Sequence, residues 1–270
     1  MKLLHLVAVM IGLASAKAGD LHPIVQVETG YLFGAVADGK WIKADQASKS
    51  LTGQMTYRMY GLTQSIGEAK GTKPKPSEEE VCSDMFVVSL SPKPKNGAIA
   101  IAAPWNALPR KVQSLDKTQK AYVDAVRDFL RTKGIEQPKV KIDNIVRVDL
   151  NGDGEEEVLI SATNYFSKEK DVVPMRSPAG SYSMVLLRRV VAGKVETQLV
   201  EGEFHPKAYV RKDDSFDAPN VYTLVAALDL DGDGKMEIVI NSSYYEGGST
   251  TIYRCRPNKV EKLLAVACGV

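Results

Sequence analysis

Residues 149–160 read DLNGDGEEEVLI, and residues 229–240 repeat the pattern as DLDGDGKMEIVI. Each copy has oxygen-bearing side chains at positions 1, 3 and 5, a glycine at position 6 and a glutamate at position 9. Oxygen-bearing side chains at alternate positions are suited to binding a hard cation, because Ca²⁺ takes about 6–8 oxygen ligands in a flexible geometry. Since carboxylates crowded into one tight turn repel one another, the pattern predicts a cation among them.

The segments beside the two loops predict strands. An EF-hand loop has helices on both sides and a bidentate glutamate at about position 12. In this chain Ile160 and Ile240 occupy that position. Short apolar, β-branched runs enter and leave both loops, as is typical of strands. We therefore expect strand–loop–strand sites; the runs are 145–148, 158–160, 221–228 and 238–240.

The pattern Asp-x-(Asp/Asn)-x-Asp-Gly-x-x-Glu, followed by a hydrophobic strand, resembles the FG-GAP/VCBS-type calcium-binding repeat of integrin-like β-propellers. This resemblance implies a mainly β fold of propeller-like antiparallel blades with a calcium site in each strand–loop–strand corner. It implies side-chain ligands at positions 1, 3, 5 and 9, with a backbone carbonyl at position 7. The implied ligands are Asp149, Asn151, Asp153, Glu155 and Glu157 at the first site, and Asp229, Asp231, Asp233, Lys235 and Glu237 at the second.

The two expected Ca²⁺ sites differ in charge. Asn151 leaves three ligand carboxylates at the first site, whereas Asp231 gives the second site four. Because affinity in such loops depends on the number of charged ligands and on rigidity, carboxylate number alone predicts tighter binding at the second site. We expect both ions to be structural.

The N-terminus predicts export. Residues 1–16 combine a basic start, a short apolar run and small residues, which are typical of a signal peptide cleaved after Ala16 or Ala18. The chain has no cysteine near the cleavage positions, so we do not expect a lipobox. No later run reaches the roughly 20 apolar residues of a membrane-spanning helix. We therefore expect a secreted or periplasmic protein. A net charge of +2 gives no reason to expect nucleic acid as a partner.

The mature chain divides naturally into an N-terminal β-rich region, residues 19–138, and two repeats of about four strands each, residues 139–270. A helix at about 117–133 links them, because its apolar residues share one amphipathic face. Asp116 or Thr118 is expected to cap this helix, and Gly134 to end it. An Asp38-Gly39 pair predicts a tight hairpin turn in the N-terminal region.

The three cysteines of the chain allow one disulfide in an oxidising compartment. Cys268 is expected to pair with either Cys82 or Cys255, and spacing does not choose between them. A polar insertion at residues 167–180 is the expected place for partner recognition, the alternative being a spacer with no partner.

Common hydrolase and nucleotide-binding motifs are missing from the sequence. These features together predict an exported calcium-binding β-repeat protein. We expect a non-catalytic binding or envelope-associated module for an unidentified macromolecular partner. The alternative is a calcium-dependent secreted hydrolase that acts on a phosphate or glycan substrate, with an exposed ion orienting the substrate.

Overall fold

The computed structural model describes residues 21–165, 177–208, 219–257 and 259–269. The predicted signal peptide, both cleavage positions and most of the 167–180 insertion lie outside these residues. The described chain is mainly β, and all of its paired strands run antiparallel, which confirms the expected fold class at this level. The described residues form sheets of seven, five, four and two strands, and they do not show a closed propeller.

A seven-stranded sheet forms the N-terminal region, in the order β3-β2-β1-β9-β4-β5-β8, and a short β6-β7 pair lies beside it. The elements are β1 (His22–Gln26), β2 (Leu32–Ala37), β3 (Lys40–Lys43), α1 (Ala44–Ser50), β4 (Met55–Tyr60), β5 (Ser65–Gly71), β6 (Lys75–Pro76), β7 (Phe86–Val87), β8 (Leu90–Ser91) and β9 (Ile99–Ile101). The predicted turn at Asp38-Gly39 joins β2 to β3. Both residues have positive φ, +50° and +70°, as a type I′ turn requires.

Each repeat forms an antiparallel sheet whose strands follow one another in chain order. This confirms the prediction of four strands per repeat, although β10 adds a fifth at the edge of the first sheet. The first-repeat sheet consists of β10 (Gln113–Ser114), β11 (Ile142–Val148), β12 (Glu157–Thr163), β13 (Ser181–Val191) and β14 (Lys194–His205). The second-repeat sheet consists of β15 (Val221–Leu228), β16 (Glu237–Tyr244), β17 (Gly247–Arg256) and β18 (Lys259–Gly269).

The second-repeat sheet is buried on both faces. Side chains alternate across a strand, so Ile238 and Ile240 pack with Leu159 and other residues of the first repeat. Val239, on the opposite face, packs with Ile24 of the N-terminal sheet. The sheets therefore stack with the second repeat in the middle, and this arrangement explains why three consecutive residues of β16, Ile238, Val239 and Ile240, are all apolar and buried.

The linking helix, α2 (Lys120–Thr132), covers the outer face of the first repeat through Val126 and Leu130. It begins three residues later than predicted, at Lys120, and no side chain caps it. Asp116 accepts a hydrogen bond from the backbone of Thr118 at 2.8 Å instead, so both residues form a turn that precedes the helix. Gly134 ends the helix as predicted, with φ +82° and Ile135 donating to the Leu130 carbonyl at 3.1 Å.

A disulfide joins Cys82, in a 3₁₀ turn at Glu80–Cys82, to Cys268 on β18. Of the two pairings left open by the sequence, the structure has the one that connects the N-terminal region to the second repeat. Cys255 is a free thiol. Neither α-helix of the described chain is long and apolar enough to cross a bilayer.

Candidate metal centres

Both acidic loops lie at the corner between the first two long strands of their repeat. The first connects β11 to β12 and the second connects β15 to β16. The closing glutamates, Glu157 and Glu237, are the first residues of β12 and β16. The expected strand–loop–strand arrangement is therefore present in both copies, and the sheet fixes both ends of each loop.

The first loop is held by hydrogen bonds to its own Asp and Asn side chains. Asp149 accepts hydrogen bonds from the backbone of Gly152 and Gly154, at 2.6 and 3.1 Å. Asn151 accepts from the backbone of Asp153 at 2.9 Å, and Asp153 accepts from the backbone of Glu155 at 2.8 Å. The backbone bond from Glu155 lowers the pKa of Asp153. Each side chain at an odd position thus stabilises the turn ahead of it.

The second loop repeats these contacts. Asp229 accepts from the backbone of Gly232 and Gly234 at 2.8 and 3.1 Å. Asp231 accepts from the backbone of Asp233 at 3.3 Å, and Asp233 accepts from Lys235 at 2.7 Å. The close agreement between the two loops indicates that the sequence pattern encodes one defined conformation rather than a generic acidic turn.

The glutamate at position 9 closes each loop from the interior. Glu157 accepts from the backbone of Leu150 at 2.8 Å, and Glu237 accepts from the backbone of Leu230 at 3.0 Å. Burial, together with the nearby Asp231 carboxylate, raises the pKa of Glu237 to about 8. Burial also raises the pKa of Glu157. A buried carboxylate of this kind needs a cation if it is to stay charged at neutral pH.

Carboxylates of the second loop converge. Asp229, Asp231 and Glu237 each place an oxygen within 4.8 Å of the others. Burial raises the pKa of Asp229, and the Asp231 and Glu237 side chains are only 4 % and 1 % exposed. A cluster of hard oxygen donors at this spacing fits Ca²⁺, which binds oxygens at about 2.3–2.6 Å. The second loop therefore has a donor set suited to the predicted ion.

The first loop differs at position 3. The amide nitrogen of Asn151 donates to Asp153 at 2.8 Å and to Glu157 at 3.4 Å. Asn151 and Asp153 are also exposed. Among the described residues, the three carboxylates of this loop do not converge within 4.8 Å as those of the second loop do, and a neutral amide takes the place of the fourth carboxylate. An ion here would be held by fewer charges and nearer to solvent.

Arg254 is a residue of this candidate site that the sequence pattern did not predict. It lies on β17 and contacts both Asp231 and Glu237; its Nη2 lies 3.1 Å from Glu237 Oε1. Burial opposes the charged guanidinium, but Glu237 and Asp231 together raise the pKa of Arg254. The contact depends on the pairing of β16 with β17, in which Ile238 lies opposite Tyr253 and residue 254 therefore comes beside Glu237. This register was not readable from the sequence.

Arg110 was also missed, and it connects the two loops. Its guanidinium donates to the backbone carbonyl of Asp149, to that of Leu150 at 3.1 Å and to that of Gly234 at 2.7 Å. The backbone of Met236 also donates to the Leu150 carbonyl at 2.7 Å. The two loops are therefore neighbours in space, although 80 positions separate them in sequence.

Trp105 packs on the backbone of the second loop. Its indole nitrogen donates to the Asp229 carbonyl at 2.9 Å. A Cβ placed on Gly232 would lie 3.0 Å from the Trp105 ring. The N-terminal region thus supports the second loop from behind.

An open cavity of about 720 Å³ lies between the loops. Acidic residues of both loops and the basic Lys235, Arg189, Arg254 and Arg256 line it, together with apolar residues of the β-hairpin turns.

Residues 220–253 match the FG-GAP repeat. This matched segment contains the whole second loop and the strands on either side of it, from β15 into β17. No curated protein and no solved structure matches the chain. The expected FG-GAP resemblance is therefore supported for the second repeat.

Proposed function

We propose that this protein is an exported, calcium-binding β-repeat protein in which two Ca²⁺ ions brace a non-catalytic binding module. The observation that carries the proposal is the convergence of Asp229, Asp231 and Glu237 in a segment that matches the FG-GAP repeat. The ligand residues would be those assigned from the sequence to each loop, including the position 7 carbonyls of Glu155 and Lys235.

Calcium would act here as a structural ion. Its charge offsets repulsion among carboxylates at the corner of each sheet. Both loops accept hydrogen bonds from Arg110, and the second loop also accepts one from Trp105. Ordering the loops would therefore stiffen the contact between the two repeats and the N-terminal region. Such a rigid scaffold suits a module that presents loops to a macromolecular partner.

Export is supported by the disulfide as well as by the predicted signal peptide. Disulfides persist in oxidising compartments and are rare in the cytosol. Since the Cys82–Cys268 bridge joins two layers of the stack, the chain is suited to a secreted or periplasmic location.

Metal analysis of the purified exported chain tests the proposal. After equilibration with calcium and removal of free ion, we expect two Ca²⁺ per chain by elemental analysis. Asp149→Ala and Asp229→Ala should each remove one ion. Glu155→Ala is the matched control, because it changes a neighbouring acidic residue but keeps the backbone carbonyl proposed as the ligand.

Absence of bound calcium from the unmodified chain would overturn the proposal. A panel of phosphate and glycan substrates, assayed with and without chelator, tests the non-catalytic assignment. Turnover that is lost on chelation would favour the calcium-dependent hydrolase instead.

A further inference from the structure

A cation already lies beside the carboxylates of the second loop. The Arg254 guanidinium contacts Asp231, and its Nε and Nη2 lie 3.2 and 3.1 Å from Glu237 Oε1. These are buried contacts, because the arginine side chain is only 21 % exposed. Charged hydrogen bonds in such surroundings are stronger than neutral ones.

The arginine and a calcium ion would use the same oxygens. Asp231 and Glu237 are two of the three carboxylates that converge in the second loop. When all four carboxylates at positions 1, 3, 5 and 9 are ionised, contact with Arg254 changes their net charge from −4 to −3. The second loop then has no charge advantage over the first loop, which has three carboxylates.

The first repeat contains a natural comparison. Val158 lies opposite Arg188 in the first repeat and Ile238 lies opposite Tyr253 in the second, so Arg189 and Arg254 occupy equivalent positions beside Glu157 and Glu237. Unlike Arg254, Arg189 donates from its Nη2 to backbone carbonyls, those of Arg256 and Pro257, each at 2.8 Å. The arginine of the first repeat is thus directed to the backbone of the second repeat.

We propose that Arg254 is the resident counter-ion of the second loop, and that Ca²⁺ binds there only by displacing its guanidinium. This inference rests on the proposed calcium-binding function. It removes the advantage in affinity that carboxylate number alone predicts for the second loop, because Ca²⁺ must first displace the guanidinium. Trp41 of the N-terminal sheet lies 5.8 Å from the guanidinium and offers the displaced cation an aromatic face.

Terbium titration tests the proposal on the full chain. Tb³⁺ replaces Ca²⁺ in oxygen sites, and Trp105, which packs on Gly232, can sensitise its luminescence at the second loop. All proteins carry Asp153→Ala to weaken the first loop, and Ca²⁺ affinity is measured by displacement of Tb³⁺. We expect Arg254→Gln to bind Ca²⁺ about tenfold more tightly, because one neighbouring cation is removed from a partly screened site.

Arg189→Gln is the matched control. It removes the same charge from the equivalent strand position. It should leave the affinity of the second loop within about twofold of the parent, because Arg189 donates to the backbone carbonyls of Arg256 and Pro257 and not to a ligand carboxylate. Without calcium, Arg254→Gln should also be less stable than the parent, because it leaves buried carboxylates unpaired. Lower stability together with tighter binding separates a counter-ion from a purely structural arginine.

A second measurement uses the unmodified chain. The Nε–H NMR signal of Arg254 should shift as Ca²⁺ fills the second loop, with the midpoint found by titration. Affinity in Arg254→Gln that is unchanged or weaker, or an Arg254 signal indifferent to calcium, would overturn the proposal. Failure of both parent and Arg254→Gln to bind any ion would instead overturn the proposed function.

Discussion

Removing the disulfide should destabilise the protein strongly. Cys82 and Cys268 are 186 positions apart, so their bond closes most of the described chain into one loop. The entropy of closing a loop of that length corresponds to about 5 kcal/mol at 25 °C, and loss of native disulfides usually costs about 2–5 kcal/mol. We therefore expect Cys82→Ala/Cys268→Ala to lower the free energy of unfolding by about 3–5 kcal/mol.

Urea unfolding followed by tryptophan fluorescence is a suitable assay. Trp105 lies against the second loop, and Trp41 packs against the core shared by the N-terminal sheet and the second repeat, so both probes report on the contact that the disulfide secures. Cys255→Ala is the control, because it removes a thiol but no crosslink. A loss below about 1 kcal/mol, with the bridge verified by intact mass in the parent, would refute the argument from loop closure.

The remaining predictions concern the loops and the free thiol. Chelation should lower the melting temperature, since each site at 100-fold saturation contributes about 2.7 kcal/mol; a curve unaffected by EDTA would contradict this. Gly234→Ala should lower the free energy of unfolding, measured in urea, by about 1–2 kcal/mol, because an alanine is strained at the Gly234 φ of +82°. Gly232→Ala should lower the free energy of unfolding by about 1–3 kcal/mol more than Gly234→Ala does, because the new Cβ would also crowd the Trp105 ring. Equal losses of stability in the two variants would contradict the contact with Trp105. Burial raises the pKa of the Cys255 thiol to about 12, so iodoacetamide should label the folded protein at pH 8 far more slowly than the unfolded protein; rapid labelling of the folded chain would contradict this burial.

The helix shows where local patterns succeed and fail. Gly134 was predicted to end α2 because a glycine can adopt the left-handed conformation that a helix end requires, whatever the rest of the fold does. The structure confirms this prediction, since Gly134 has a positive φ. The predicted caps Asp116 and Thr118 were wrong because these two residues bond to each other in a preceding turn. The Asp116 side chain can accept a hydrogen bond either at a helix N-terminus or within a preceding turn, and the sequence does not indicate which of the two forms.

The sequence by itself determined the two acidic loops, the strands beside them, the hairpin at Asp38-Gly39 and the antiparallel, mainly β character of the chain. These features follow from contacts within a few residues: side-chain alternation, turn geometry and hydrogen bonds from odd-numbered loop positions to the next backbone amides.

Only the tertiary structure decided which cysteines pair, that the two loops lie side by side, and which arginines reach them. Arg110 contacts Gly234 across 124 positions, and Arg254 meets Glu237 only because β17 pairs with β16 in one register. A shift of one residue in that register would turn Arg254 to the opposite face of the sheet. Strand register and the stacking of sheets depend on burial over the whole chain, and local sequence patterns do not contain that information.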